Sequence, residues 1–123
     1  KTKILNNGVL QYTDSKLEKG SYAHYYWIFP NIMLNFYNWG LSINIVEPIS
    51  LNKTRIKFLS FPIQGHKNIK KKIEELHNVE MEDEKIVLNV QKGIQSEFYQ
   101  NGRYSSKHEK GTHYFHRLIS QYI

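Results

Sequence analysis

The hydrophobic period changes once along this chain, near residue 65, and that change limits the folds open to it. Before it, the chain is rich in β-branched and aromatic residues and broken by turn signals. From Leu41 to Ile45, Leu41, Ile43 and Ile45 are apolar and Ser42 and Asn44 between them are polar, the pattern of a strand with one buried face. After it, Asp83, Ile86, Val87, Val90 and Ile94 fall on one side of a helix, the pattern of an amphipathic helix with its stripe turned inward. A sheet-forming half followed by a helix-forming half predicts an α+β fold with the two kinds of element segregated along the chain.

Turn residues divide the first half. Ser21–Phe29 (SYAHYYWIF) is an aromatic strand ended by Pro30 and Asn31, and Ile32–Tyr37 is a second. Asn38, Trp39 and Gly40 form a turn or bulge. Leu41–Ile45 is a third strand, stopped by Pro48; Leu51, Asn52 and Lys53 turn the chain, and Thr54–Phe61 returns as its antiparallel partner. Pro62, Gln64 and Gly65 close the β region. The spacing then predicts a short helix over about Lys67–Leu76, a longer one from Glu82 to an exit near Asn101 and Gly102, and an amphipathic segment over Thr112–Ile123.

Composition excludes several functions. The 123 residues include no cysteine, so this chain holds no disulfide, thiolate nucleophile or thiolate-bound iron–sulfur or zinc centre of its own. No apolar run approaches the roughly 18 residues needed to cross a bilayer; a membrane role is not expected, and a cytoplasmic location is. The net charge of +6 invites a nucleic-acid reading. Against it, Lys67, Lys70, Lys71 and Lys72 stand immediately before Glu74 and Glu75, where they read as one solvated helix face. The first residue is Lys, the first Met is Met33, and residues 1–20 resemble neither a signal nor a transit peptide. The chain is therefore expected to be a piece of a longer protein.

Three groups of residues are candidates for chemistry. Asp83 lies with the apolar stripe of its helix, and a carboxylate on a buried face must be neutralised, hydrogen-bonded or metal-bound. The alternative is that Glu80, Glu82, Asp83 and Glu84 form the acidic first turn of a helix, favoured by the macrodipole. His113 and His116 are spaced i, i+3 with His108 nearby, which suits either a ligand pair or packing beside Tyr114 and Phe115. The aromatic residues Tyr22, Tyr25, Tyr26, Trp27, Phe29, Phe36, Tyr37 and Trp39 suit either a sheet core or the wall of a pocket for a flat apolar or quaternary ammonium ligand. There is no phosphate-binding loop, dinucleotide fingerprint or serine nucleophile elbow.

Three segments, FPNIMLNFYNWGLSINIVEP (29–48), VEMEDEKIVLNVQKGIQS (79–96) and YQNGRYSSKHEKGTHYFHRLI (99–119), together resemble the C-terminal catalytic region of ring-hydroxylating Rieske oxygenase α subunits. The branch that is most similar includes choline monooxygenase-like and phenylpropionate dioxygenase-like large subunits. The resemblance implies a helix-grip (START-like) fold, an antiparallel sheet packed on a long C-terminal helix. Residues 1–123 would be only the C-terminal portion of that single domain, with no Rieske domain. It also implies mononuclear Fe(II) held by two histidines and one aspartate. In the family the aspartate lies in a Glu-Asp pair followed eight residues later by the Gln of a Val-Gln-Arg/Lys-Gly run. Here these are Glu82, Asp83 and Gln91, so the resemblance assigns the ligand role to Asp83.

The family's two histidine ligands belong to an upstream Glu-x-x-His-x-x-x-x-His motif that this chain lacks, and His113 and His116 do not take their place. The [2Fe–2S] cluster is expected in the region N-terminal to this chain. The implied activity of the intact parent is O2-dependent hydroxylation or demethylation of a small aromatic or quaternary ammonium substrate. Electrons would come from a reductase or ferredoxin partner, and the parent would be a homo-oligomer such as a trimer. Alternation and family position nominate Leu34, Phe36, Tyr37 and Trp39 as pocket residues. The competing expectation is a non-catalytic helix-grip module for a small apolar ligand.

Overall fold

Two-residue turns and strict alternation make an up-and-down sheet the simplest arrangement of the first half, and the computed structural model, which describes residues 1–12 and 23–123, has that form. Six antiparallel strands, β1 (Thr2–Leu5), β2 (Gly8–Tyr12), β3 (Ala23–Ile28), β4 (Ile32–Tyr37), β5 (Gly40–Ser50) and β6 (Lys53–Pro62), follow one another in sheet order. Helix α1 spans Ile69–Ile94 and helix α2 spans Lys110–Ile119. The chain divides into two compact units, residues 1–64 with 104–123, and residues 65–103.

The first unit has a sheet with two unlike faces. On one, Val9 stands opposite Trp27 and Trp27 opposite Met33, and α2 packs there. The Phe115 ring meets Trp27 edge to face at 4.7 Å, and Tyr122 stacks on Phe29 at 5.1 Å. Such pairs each add about 0.5–1.5 kcal/mol beyond the area they bury. The Tyr114 hydroxyl donates to the Asn6 carbonyl. Gly111 sits where a Cβ would come within 3.2 Å of Val9 Cγ1, which lets the helix approach. Among the described residues of this unit, Val9, Asn35, Trp39, Ser42 and Leu118 are buried, together with glycines. On the other face two ladders cross four strands, Tyr26–Leu34–Ile43–Leu59 and His24–Phe36–Leu41–Phe61. This face is apolar and only partly covered: Phe36, Leu59 and Phe61 are 41%, 41% and 53% exposed.

Several expectations change. Pro48 does not stop its strand: β5 continues to Ser50. The reason is that β4 pairs with β5 only from Gly40 to Ile45, so at Pro48 one edge has no partner strand and the missing N–H disrupts no ladder. Beyond that point β5 and β6 form a two-stranded ribbon, braced by ion pairs from Glu47 to Lys57 (2.5 Å) and Arg55 (3.7 Å). Strands β1 and β2 carry no long alternating pattern and were not expected. The start of the predicted Ser21–Phe29 strand, with Tyr22, lies outside the described residues; the described part is β3.

In the second unit the two predicted helices are one. Residues 77–81 contain neither Gly nor Pro, so no residue there ends the helix at Leu76. It stops at Ile94, earlier than the expected exit near residue 100, where the Gln95 N–H bonds the Gly93 carbonyl. The predicted inward stripe is not buried: Ile86, Val87 and Val90 are 59%, 61% and 55% exposed, and no residue of α1 is buried. A helix that is the one long element of its unit has nothing within that unit to bury its apolar side against. The basic cluster does face its own acids, with Lys72 2.8 Å and Lys71 4.0 Å from Glu75. Lys72's hydrogen bond holds the Glu75 carboxyl below its ordinary value. No described helix is long and apolar enough to cross a membrane.

Gly40 closes the two-residue turn between β4 and β5, where a Cβ would lie 2.4 Å from the Phe61 carbonyl oxygen and 2.8 Å from Pro62 Cα. Gly40→Ala should therefore push β6 away from β5 and cost about 1–3 kcal/mol, as overpacking does. A lower urea midpoint checks this; an unchanged midpoint would place the β5–β6 pairing elsewhere.

Candidate functional site

The two-faced sheet places a cavity of about 500 Å3 on the face away from α2, lined by His24, Tyr26, Ile28, Leu34 and Phe36. That volume is in the range of small-molecule sites. Register explains the grouping: His24 pairs with Phe36, Tyr26 with Leu34 and Ile28 with Ile32, so alternate residues of two neighbouring strands converge on one side. Tyr26 and Phe36 meet edge to face at 5.8 Å and 85°, and Tyr12 on β2 stacks over His24 at 6.1 Å and 14°.

Of the four residues nominated from the sequence, Leu34 and Phe36 line this cavity. Tyr37 and Trp39 do not join them. Tyr37 follows Phe36 on the strand and so points to the opposite face, where the Trp39 ring stacks on it at 5.1 Å and 5°. Trp39 is 4% exposed, a core residue. Sequence reasoning missed His24 and Ile28 as cavity residues, and left Tyr26 open between sheet core and pocket wall. The alternation was visible, but pairing them with Leu34 and Phe36 requires the β3–β4 register, which the loop at residues 29–31 sets.

Asp83 lies well inside α1, fourteen residues beyond its start at Ile69, and is exposed. Two expectations are corrected by this. The acidic residues 80–84 are not a first turn, so the helix dipole does not explain them, because its influence fades within one turn of the end. Nor does the Asp83 carboxylate face a buried core, since its stripe has no partner within its unit. The carboxylate with a marked environment is Glu80, whose Oε1 is shielded from solvent and has no hydrogen-bond partner among the described residues. Burial raises the Glu80 carboxyl above its ordinary value, opposed by the nearby charge of His77. His66 Nδ1 is the other shielded atom without such a partner.

The C-terminal histidines do structural work in their own unit. The Tyr104 hydroxyl bonds His116 Nδ1, and the Tyr104 ring meets His113 at 5.1 Å and His116 at 5.6 Å. The His108 N–H donates to Ser105 Oγ at 3.2 Å. Among the described residues no three His, Asp or Glu side chains converge on a point that could hold a metal. One exposed carboxylate is not an iron site, and the donors among the described residues do not by themselves fit mononuclear Fe(II).

The sheet of one unit carries a cavity of small-molecule size, and the long helix of the other carries a mid-helix acidic cluster. Residues 11–123 match the family described as ring hydroxylating alpha subunit (catalytic domain), and the chain belongs to that family. It is 36% identical over 104 residues to the chloroplastic choline monooxygenase of Arabidopsis thaliana, covering 81% of this chain and 24% of that protein. Over 132 residues it is 30% identical to the choline monooxygenase of Amaranthus tricolor, covering 98% of this chain and 30% of that protein. With the protein of the same name from Spinacia oleracea the identity is 26% over 131 residues. The chain thus spans about 24–30% of the length of these relatives. No solved structure matches it.

The strain at Glu80 is testable by pH. Its folded value is raised, so its contribution favours the fold below the unfolded pKa and is lost as pH rises through the folded value. Glu80→Gln, which cannot ionise, should raise the helical melting temperature at pH 7 and leave it nearly unchanged at pH 3, read by circular dichroism at 222 nm. An equal shift at both pH values would assign the effect to packing.

Proposed function

We propose that this chain works as the C-terminal portion of the catalytic domain of a Rieske-type non-haem iron oxygenase α subunit. In that reading Asp83 is one of three protein ligands to Fe(II), and the two histidines and the [2Fe–2S] cluster come from the rest of the subunit. The observation that carries the reading is the family match over residues 11–123, with Glu82, Asp83 and Gln91 in the family's spacing. The mid-helix position of Asp83 supports it by removing the helix-dipole account of the acidic cluster. The sheet and the long helix are consistent with part of a helix-grip fold. Leu34 and Phe36 are substrate-pocket walls in this proposal, joined by Ile28 and Tyr26.

The intact subunit would use O2 and electrons from a reductase or ferredoxin to hydroxylate or demethylate a small organic substrate, and would assemble as a homo-oligomer. Relatives named as choline monooxygenases make a quaternary ammonium compound one candidate substrate, with a small aromatic as the other. Those relatives are named as chloroplastic, which departs from the cytoplasmic expectation, and no compartment is proposed. A metal-free binding module is the rival reading, favoured by the exposure of Asp83 and the absence of a convergent ligand set among the described residues.

Iron content separates the two. In the intact subunit, Asp83→Ala should weaken iron binding by at least about 10–100-fold, the range that loss of even an indirect partner of a metal ligand produces, while Glu82→Ala should retain the metal. Metal analysis after gel filtration is the measurement. Full iron in the Asp83 variant would remove this residue from the site, and an unaltered subunit without iron would favour the binding module.

A further inference from the structure

We propose that His24 is the specificity-determining residue of the cavity on the β3–β4 face, where it holds the single hydroxyl or carbonyl group of a small, neutral, otherwise apolar ligand. This deepens the pocket assignment above and rests on it. The cavity wall is Ile28, Leu34 and Phe36 with two groups able to hydrogen-bond, the His24 imidazole and the Tyr26 hydroxyl. Neither makes a hydrogen bond to another described residue. A polar group in an apolar setting loses stability unless something pairs with it, so a ligand that enters and displaces water must supply a partner or leave a penalty.

Position makes His24 the stronger of the two. His24 and Ile28 mark opposite ends of the β3 wall, four residues or about 13 Å apart, so the cavity has a polar end and an apolar end. The imidazole plane is set by the stack on Tyr12. Its two ring nitrogens offer one donor and one acceptor when neutral, which suits a hydroxyl or a carbonyl equally. Tyr26 lies between the ends, its ring held edge to face by Phe36.

Charge narrows the ligand further. Among the described lining residues none is Asp, Glu, Lys or Arg, so a permanently charged group would enter without a counterion from them. A quaternary ammonium head has no N–H to give His24 and would depend on ring faces alone. Among the described lining residues only Tyr26 and Phe36 offer phenyl faces, and they are turned on each other at 85°. A neutral molecule with one polar end meets every lining group.

The test uses the full chain and equilibrium dialysis with 1-naphthol, naphthalene and tetramethylammonium as probes, in the native sequence and in His24→Phe and Tyr26→Phe. The native chain should prefer 1-naphthol to naphthalene by roughly 3–10-fold, the range of one net hydrogen bond. His24→Phe should abolish that preference, with naphthalene affinity held within about twofold as evidence of an intact cavity. Tyr26→Phe should keep the preference. Equal binding of the two naphthalenes by the native chain would overturn the proposal. So would loss of the preference in Tyr26→Phe alone, tightest binding of tetramethylammonium, or no binding of any probe. No iron or O2 enters the measurement, so a negative result here leaves the Asp83 assignment standing, and loss of that assignment leaves this one to be decided by binding.

Discussion

The pairing of β3 with β4 is the constraint on which the rest of the first unit depends. Side chains alternate along a strand, so a slip of one residue in this pairing would exchange the two faces of one strand relative to the other. The loop at residues 29–31 fixes the register by bonds to its neighbours on both sides. The Phe29 N–H donates to the Asn7 carbonyl at 2.9 Å, the Asn31 side chain donates to the Val46 carbonyl at 2.9 Å, and the Val46 N–H donates back to Asn31 at 3.0 Å. Held this way, Trp27 and Met33 fall on the face that receives α2, while His24, Tyr26, Leu34 and Phe36 fall on the other.

That division sorts the aromatic residues by task. Trp27, Phe29, Tyr37 and Trp39 pack with α2, the C-terminal tail or one another, and so hold the sheet and the C-terminus together. Tyr26 and Phe36 form the wall of a cavity that remains partly open. The same residue types serve as core on one side and as a binding surface on the other, because what differs is whether another element covers them. The C-terminal histidines belong to the packing side: His113 and His116 clamp Tyr104 and flank the Phe115 ring that anchors α2.

The second unit poses the opposite case. Its apolar stripe, Ile86, Val87, Val90 and Ile94, has the spacing of a packed helix and is exposed. Stability of such a helix ordinarily comes from burying that stripe rather than from local propensity. Within its own unit no second long element is present among the described residues to cover it. Asp83 shares this condition. The ligand role proposed for it would need donors that the described residues do not bring to it.

Much of the fold was legible in the residues themselves. Aromatic and β-branched runs between turn residues, with alternation in β5, located β3 to β6, the turns at Asn38–Trp39 and Leu51–Asn52 followed from local chemistry, and the helical spacing after residue 65 was right in kind. Local signals failed where a neighbour decides. Pro48 reads as a stop until the end of β4 shows that no strand needs its N–H, and the acidic run at 80–84 reads as a first turn until α1 proves continuous from Ile69. The sequence by itself determined which residues alternate, which repeat at helical spacing, and that Glu82, Asp83 and Gln91 follow a family's order. Only the tertiary structure decided which of two equivalent faces each aromatic occupies. Burial depends on what lies across from a side chain, and no local pattern encodes that.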